Sequence, residues 1–344
     1  MRILLRVLSA VIFVLTLLQG AFLLHFITLN PVITEEKPPA RIEVRNDTQQ
    51  TFVTSIFSKL SFIPLFNKER SLVTVIIENH EDARPYQEGL DKALIIQEWF
   101  VEGFISRFVA VYDTRDLPKQ VGPVRSIRPH FLQGLLPWST PIFHAGGSPK
   151  ALEMIVESTK LMSINGLRGT YHDSYNRDDA IAQPHNLFIF KKVLREVAQE
   201  MNLSPITWPP YKEGKMTEGE QATDININFF NANHNVYYTY KPSTQRYVRT
   251  NGTVEKQAQP RNVLILEMPI ESIGEYGRLT IPVKGRGKVL LFRSGHMYPG
   301  VWEKSGEIYP FSFMNANGEQ LVFARGQTWM TVVPSMERVS WENN

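Results

Sequence analysis

Cysteine is absent from all 344 residues of the chain. That absence excludes disulfides, thiolate metal sites and cysteine nucleophiles together, while leaving the redox compartment open. A long run of one charge is missing too: 37 basic residues face 34 acidic ones, for a net charge of +3. Charge so balanced and dispersed does not make a nucleic-acid surface, so no nucleic acid is expected as a partner. No His-Glu-x-x-His or comparable short spacing occurs, and neither a metal nor another cofactor is expected. Ser148 follows Gly146-Gly147 and is not set in Gly-x-Ser-x-Gly, which removes the nucleophile elbow of the α/β hydrolases. There is no internal repeat and no low-complexity segment, so solenoids and arrays are excluded as well.

What the chain does have is one long apolar run. Val7 to Thr28 is broken only by Ser9, Thr16, Gln19, Gly20, His25 and Thr28, and it is long enough to span a bilayer. Arg2 and Arg6 precede it, and the next basic residue is Lys37. The positive-inside rule then puts the N-terminus in the cytoplasm and everything after Asn30 outside. The expectation is a single-pass cell-membrane protein with residues 1–30 as an uncleaved anchor. A cleaved signal peptide, the alternative, has a shorter apolar core and a small-x-small cleavage site. Residues 31–70, turning to Pro, Glu, Lys, Thr and Gln, read as a tether.

Order is expected from Ser71, where Leu-Val-Thr-Val-Ile-Ile is a β-branched run of the kind buried in the centre of a sheet. Ala93 to Tyr112 reads as two strands joined at Glu102-Gly103, with Glu98 and Glu102 on one strand face. Pro141 to His144 reads as a short buried strand. A glycine turn follows, then a helix capped by Ser148 with Pro149 as its first residue. Lys191 to Met201 is an amphipathic helix, and Pro205 to Gly219 is the expected linker. Beyond it lie strand-like runs at 225–230, 236–240, 245–250, 263–268, 278–283, 288–293 and 328–333, with turn signals between. The fold class expected is an α/β (α+β) domain over 71–215, with a mixed sheet and flanking helices, then a mostly antiparallel β domain over 216–344.

The stretch from Gln120 to Lys150 concentrates candidate chemistry. If its Pro-Val-Arg-Ser-Ile-Arg segment opens a helix, Arg125 and Arg128 fall on one face. Paired guanidinium groups suit a carboxylate or phosphate. The alternative is that the same arginines form salt bridges to Glu78, Glu98 and Glu102. Gly146, Gly147 and Ser148 precede a helix N-terminus, where backbone N–H groups favour an anion, or they simply make a tight connection. Glu78, Asn79 and His80 stand at the C-terminal end of the first strand, the end at which open sheets hold ligands. His144 and His185 are candidate general acids or bases, with Glu78 or Glu98 to orient them.

On these residues the chain resembles the YerB family of bacterial extracytoplasmic proteins, classed as a domain of unknown function. The resemblance is carried by Ile77-Glu78-Asn79-His80 with Ala83-Arg84-Pro85, Val101-Glu102-Gly103 with Arg107-Phe108, Val121 to Arg128, and His144 to Pro149. Pro184-His185-Asn186-Leu187, Tyr247-Val-Arg249 with Gly252, and Gly326-Gln-Thr-Trp329 extend it over nearly all of 71–334. It implies an extracytoplasmic location and no assigned activity. Family members are often anchored by a lipid on an N-terminal cysteine. This sequence has no cysteine, so the transmembrane helix stands in for the lipid.

The expected function is therefore a membrane-anchored extracytoplasmic protein that binds an anionic cell-envelope glycan or peptide. Its ligand-binding residues would be Glu78, Asn79, Arg84, Arg107, Arg125, Ser126, Arg128, Gly146, Gly147, Ser148 and Asn186. One alternative is an envelope hydrolase or transferase using Glu98 with His144 or His185; another is a structural partner of a membrane complex. An enzyme needs an ionisable pair within hydrogen-bond reach, a binder only converging donors.

Overall fold

The computed structural model describes residues 68–215, 219–252, 254–255, 258–273 and 275–343. The expected membrane helix over residues 7–28 and nearly all of the tether lie outside them. Among the described residues no helix is long and apolar enough to cross a membrane.

The backbone of the fold is the strand Leu72–Glu78, all seven residues of which are buried. Its β-branched side chains fill both faces, each contributing about 1.5–3 kcal/mol of burial. It pairs antiparallel with Ser106–Asp113 and parallel with Pro141–His144. Ile95–Phe100 lies against Ser106–Asp113. The chain reverses between those two strands at Gly103, whose positive φ of 73° suits a residue without Cβ. That reversal lifts Glu102 out of the strand, so it does not share a strand face with Glu98 as expected.

On the far side of Ile95–Phe100 lies Thr328–Val333, and beyond it Asn262–Glu267; both pairings are parallel. Gly285–Arg293 and His296–Lys304 continue the sheet as an antiparallel hairpin. One mixed sheet of 11 strands thus runs through residues from both halves of the chain. Within the C-terminal half the strands are mostly antiparallel, as expected, with the pairing of Asn262–Glu267 and Thr328–Val333 as a parallel exception among the described residues. A second sheet of five antiparallel strands, in the order Val254–Glu255, Arg246–Asn251, Val236–Lys241, Asp224–Ile227 and Val339–Glu342, matches the expectation.

Among the described residues helices are few and short. Pro129–Leu135, Pro149–Glu157 and Lys191–Glu200 are the α-helices among the described residues. The first begins only at Pro129, because Val121 to Arg128 is held extended: Val124 bridges Ile77 and Ile127 bridges Gly147. The expected helix carrying Arg125 and Arg128 on one face is not formed. Ser148 caps the second helix, accepting from the Ala151 N–H at 3.4 Å, with Pro149 first, as its sequence indicates. The segment expected as a linker contains Ile206–Trp208, which pairs with Lys68–Arg70.

Candidate functional site

Two polar networks lie on either side of the strand pair Ile95–Phe100 and Ser106–Asp113, and the residues expected in one site divide between them. The first is a structural clasp. Glu98, 1% exposed, receives Nη2 of Arg249 on both carboxylate oxygens at 2.8 and 2.9 Å. The Ser106 hydroxyl, the Trp329 indole N–H and the Thr331 hydroxyl also donate to it. The Arg249 guanidinium lies 4.2 Å from the Trp329 ring centroid, a stacked cation held with no exposure of its side chain. This pair ties the central sheet to the five-stranded one.

Asn79 belongs to the same clasp, donating to Ser106 and to Asn251. Arg84 reaches the Asn233 carbonyl and His234 Nδ1, beside the same sheet. Glu98 is fully engaged and meets no histidine in this network, so the expected pairing of Glu98 with His144 or His185 is not made.

His144 also leaves the candidate site. Its Nδ1 bonds the Gly146 carbonyl at 2.8 Å and its Nε2 the Ser163 hydroxyl at 2.7 Å. Burial, with Arg168 nearby, pushes its pKa down to about 4, so at neutral pH it is an uncharged strut. The glycine turn is closed in the same way: Gly146 N–H donates to Asn165 and Ser148 N–H to the Ile127 carbonyl. Those amides are committed and do not cradle an anion. Asn186 is buried, accepting from Arg177 and donating to the Asp178 carbonyl.

The second network keeps the chemistry. Glu78 and Arg107 face each other across paired strands. Arg125 Nε lies 2.9 Å from Glu78 Oε1, and His185 Nδ1 lies 3.0 Å from Oε2 of the same carboxylate. Arg128 grips Glu102 through Nε and Nη2 at 2.7–3.0 Å. Burial pushes the Glu102 carboxyl up, but the bonds and charge of Arg128 outweigh it and hold the group below its usual range. The salt-bridge alternative thus holds for Glu78 and Glu102, while Glu98 goes to a different arginine.

Arg107 is the odd member. Among the described residues it has no carboxylate within ion-pair distance, and its Nη1 donates to the Ser126 carbonyl at 2.8 Å. Burial, then Arg128 and Arg125, pull its pKa down to about 9, which leaves it charged at neutral pH. Three guanidinium groups therefore share two carboxylates. Beside Arg128 opens a cavity of about 400 Å³, lined also by Glu102, Ser148, Lys150 and Arg278.

Sequence reasoning missed Arg249 as the partner of Glu98. Arg249 carried a signal: along Arg246–Asn251 burial alternates, with Tyr247, Arg249 and Asn251 inward. An arginine at an inward position requires a buried acid.

Comparison with known proteins follows this geometry. Residues 64–204 match the model "Protein of unknown function (DUF3048) N-terminal domain", and residues 225–330 match its C-terminal domain. The chain is 30% identical over 286 residues to "Putative lipoprotein YerB" of Bacillus subtilis (strain 168), covering 79% of this chain and 84% of the relative. It also matches the crystal structure of the YerB protein from Bacillus subtilis, with a TM-score of 0.69 and 28% identity, covering 80% of this chain and 94% of that one. With both halves of the family matched in order across the fold described above, the chain belongs to the DUF3048 family, the family of YerB.

Proposed function

We propose that this chain is a membrane-anchored extracytoplasmic binding protein that takes an anionic segment of a cell-envelope glycan or peptide at Arg107, Arg125 and Arg128. The observation that carries the reading is the charge imbalance: three guanidinium groups against Glu78 and Glu102, with no carboxylate at ion-pair distance from Arg107 among the described residues. A buried arginine in that state gains more from an incoming anion than one already paired. The adjoining cavity supports the reading, since Arg128, Lys150 and Arg278 line it against the single carboxylate of Glu102. Anchoring is supported by the apolar run at 7–28 with its basic flank and by the lipoprotein name of the relative.

Two experiments test this. Full-length protein in detergent is retained on isolated anionic cell-envelope polymer at low salt and released as salt rises. The Arg107→Gln variant, folded by circular dichroism, is not retained. Equal retention of variant and wild type contradicts the site. Protease added to wall-stripped cells digests the region after Asn30 while the N-terminal segment stays with the membrane. Release of a shortened soluble form contradicts the uncleaved anchor.

A further inference from the structure

Next to Glu78 a group of side chains serves neither the clasp nor the anion reading. His80, Asp82 and His185 each offer one donor atom, and these atoms all lie within 4.8 Å of one another. The two imidazoles stack with centroids 5.4 Å apart and planes 23° off parallel. His80 Nδ1 stands 3.4 Å from Asp82 Oδ2. We propose that His80, Asp82 and His185 form a binding site for a divalent transition metal ion of the Zn²⁺ class, with Glu78 as its supporting carboxylate.

The sequence does not pair these residues, because the two histidines are separated by more than one hundred residues. The fold brings them together: His80 follows the central strand directly, and the loop ending at His185 folds back onto it. Glu78 then sets the chemistry. Its carboxylate lies 2.9 Å from Arg125 Nε and 3.0 Å from His185 Nδ1, so that nitrogen of the ring is turned to Glu78. With Nδ1 turned to the carboxylate, Nε2 is the nitrogen that faces away from it and is left for an ion. A carboxylate bound to the far nitrogen of a ligating histidine is the usual support of a protein metal site, orienting the ring and raising its basicity.

His80 shows the complementary feature. Its Nδ1 accepts the Asp82 backbone N–H at 3.3 Å, so the lone pair points toward Asp82, whose carboxylate oxygen faces the same nitrogen. Two imidazole nitrogens and one carboxylate oxygen suit zinc and its neighbours and not the all-oxygen preference of magnesium or calcium. The exposures grade outward, 15% for the His185 side chain, 36% for His80 and 70% for Asp82. Asp82 therefore has the freedom to close on the ion, and the outer positions stay open to water or a ligand oxygen.

The proposal stands without the anion reading and is measured without any polymer. Chelator-treated full-length protein in detergent is titrated with Zn²⁺ against a chromophoric chelator. One tight equivalent is expected, undiminished by excess Mg²⁺. His80→Ala and Asp82→Asn, both at accessible positions, should each weaken it by about tenfold or more. His172→Ala, which removes an exposed His-Asp pair elsewhere, should change nothing. Zn²⁺ should also shift the side-chain nitrogen resonances of His185 in wild type. No tight equivalent, or one that persists in His80→Ala and Asp82→Asn, overturns the site, as does a loss that is equally large in His172→Ala.

Discussion

Arg249 and Arg107 are both buried arginines, and the difference between them is the partner. Arg249 has a fully buried glutamate and a stacking tryptophan. Arg249→Met should therefore cost about 3–5 kcal/mol, because it strands the Glu98 carboxylate; denaturant unfolding measures it, and a loss under 1 kcal/mol would mean the clasp is dispensable. The buried imidazoles make a second prediction. Burial pushes His144 and His234 down to about 4 and His130 to about 3, against about 6.5 in the unfolded chain. Between those values the unfolded state binds protons that the folded state refuses. Their contribution is thus complete above pH 6.5 and lost as the pH falls toward 4. Each adds a slope that rises from about 0.7 kcal/mol per pH unit at pH 6.5 to at most about 1.4 near pH 5. His144→Gln should flatten the slope by that amount in unfolding curves at pH 5 to 6.5; an unchanged slope would place the sensitivity elsewhere.

At the scale of elements, the turn between Ile95–Phe100 and Ser106–Asp113 decides which acid serves which arginine. Gly103 at φ 73° turns the chain there, with nothing within 4 Å of where a Cβ would sit. Gly103→Ala should cost about 1 kcal/mol through backbone strain alone, measured by thermal unfolding; a neutral result would mean the turn relaxes freely. The sequence made this reversal legible, as it did the buried strand from Leu72, the Ser148 cap and the amphipathic helix at Lys191, because each is written in local periodicity or turn chemistry. Which face Glu102 would take was not legible, since two consecutive left-handed residues, Gly103 and Phe104, reset the alternation. Nor was the extended course of Val121 to Arg128, whose arginine spacing suits a helix equally well. Tertiary bridges to Ile77 and Gly147 decide it. Arg249 could have been found from the alternation of its own strand, but its partner could not.

At the scale of the whole molecule, the mixed sheet crosses the two family segments. Thr328–Val333, near the end of the chain, lies between Asn262–Glu267 and Ile95–Phe100, and the Glu98–Arg249 clasp reinforces that junction. Residues 68–215 expressed without 219–343 should lack a dispersed amide spectrum, because Ile95–Phe100 would lose its neighbour; a well-dispersed spectrum would show that the first segment folds alone. On the proposed reading the clasp maintains the fold, while Arg107, with no carboxylate at ion-pair distance among the described residues, is left for a ligand. The most direct measurement is the melting temperature of wild type and Arg107→Gln, each with and without isolated anionic envelope polymer. The account predicts that polymer raises the melting temperature of wild type and not of the variant, whose own melting temperature without polymer equals or exceeds that of wild type. A variant that melts well below wild type, or that is stabilised by polymer as strongly, would contradict it.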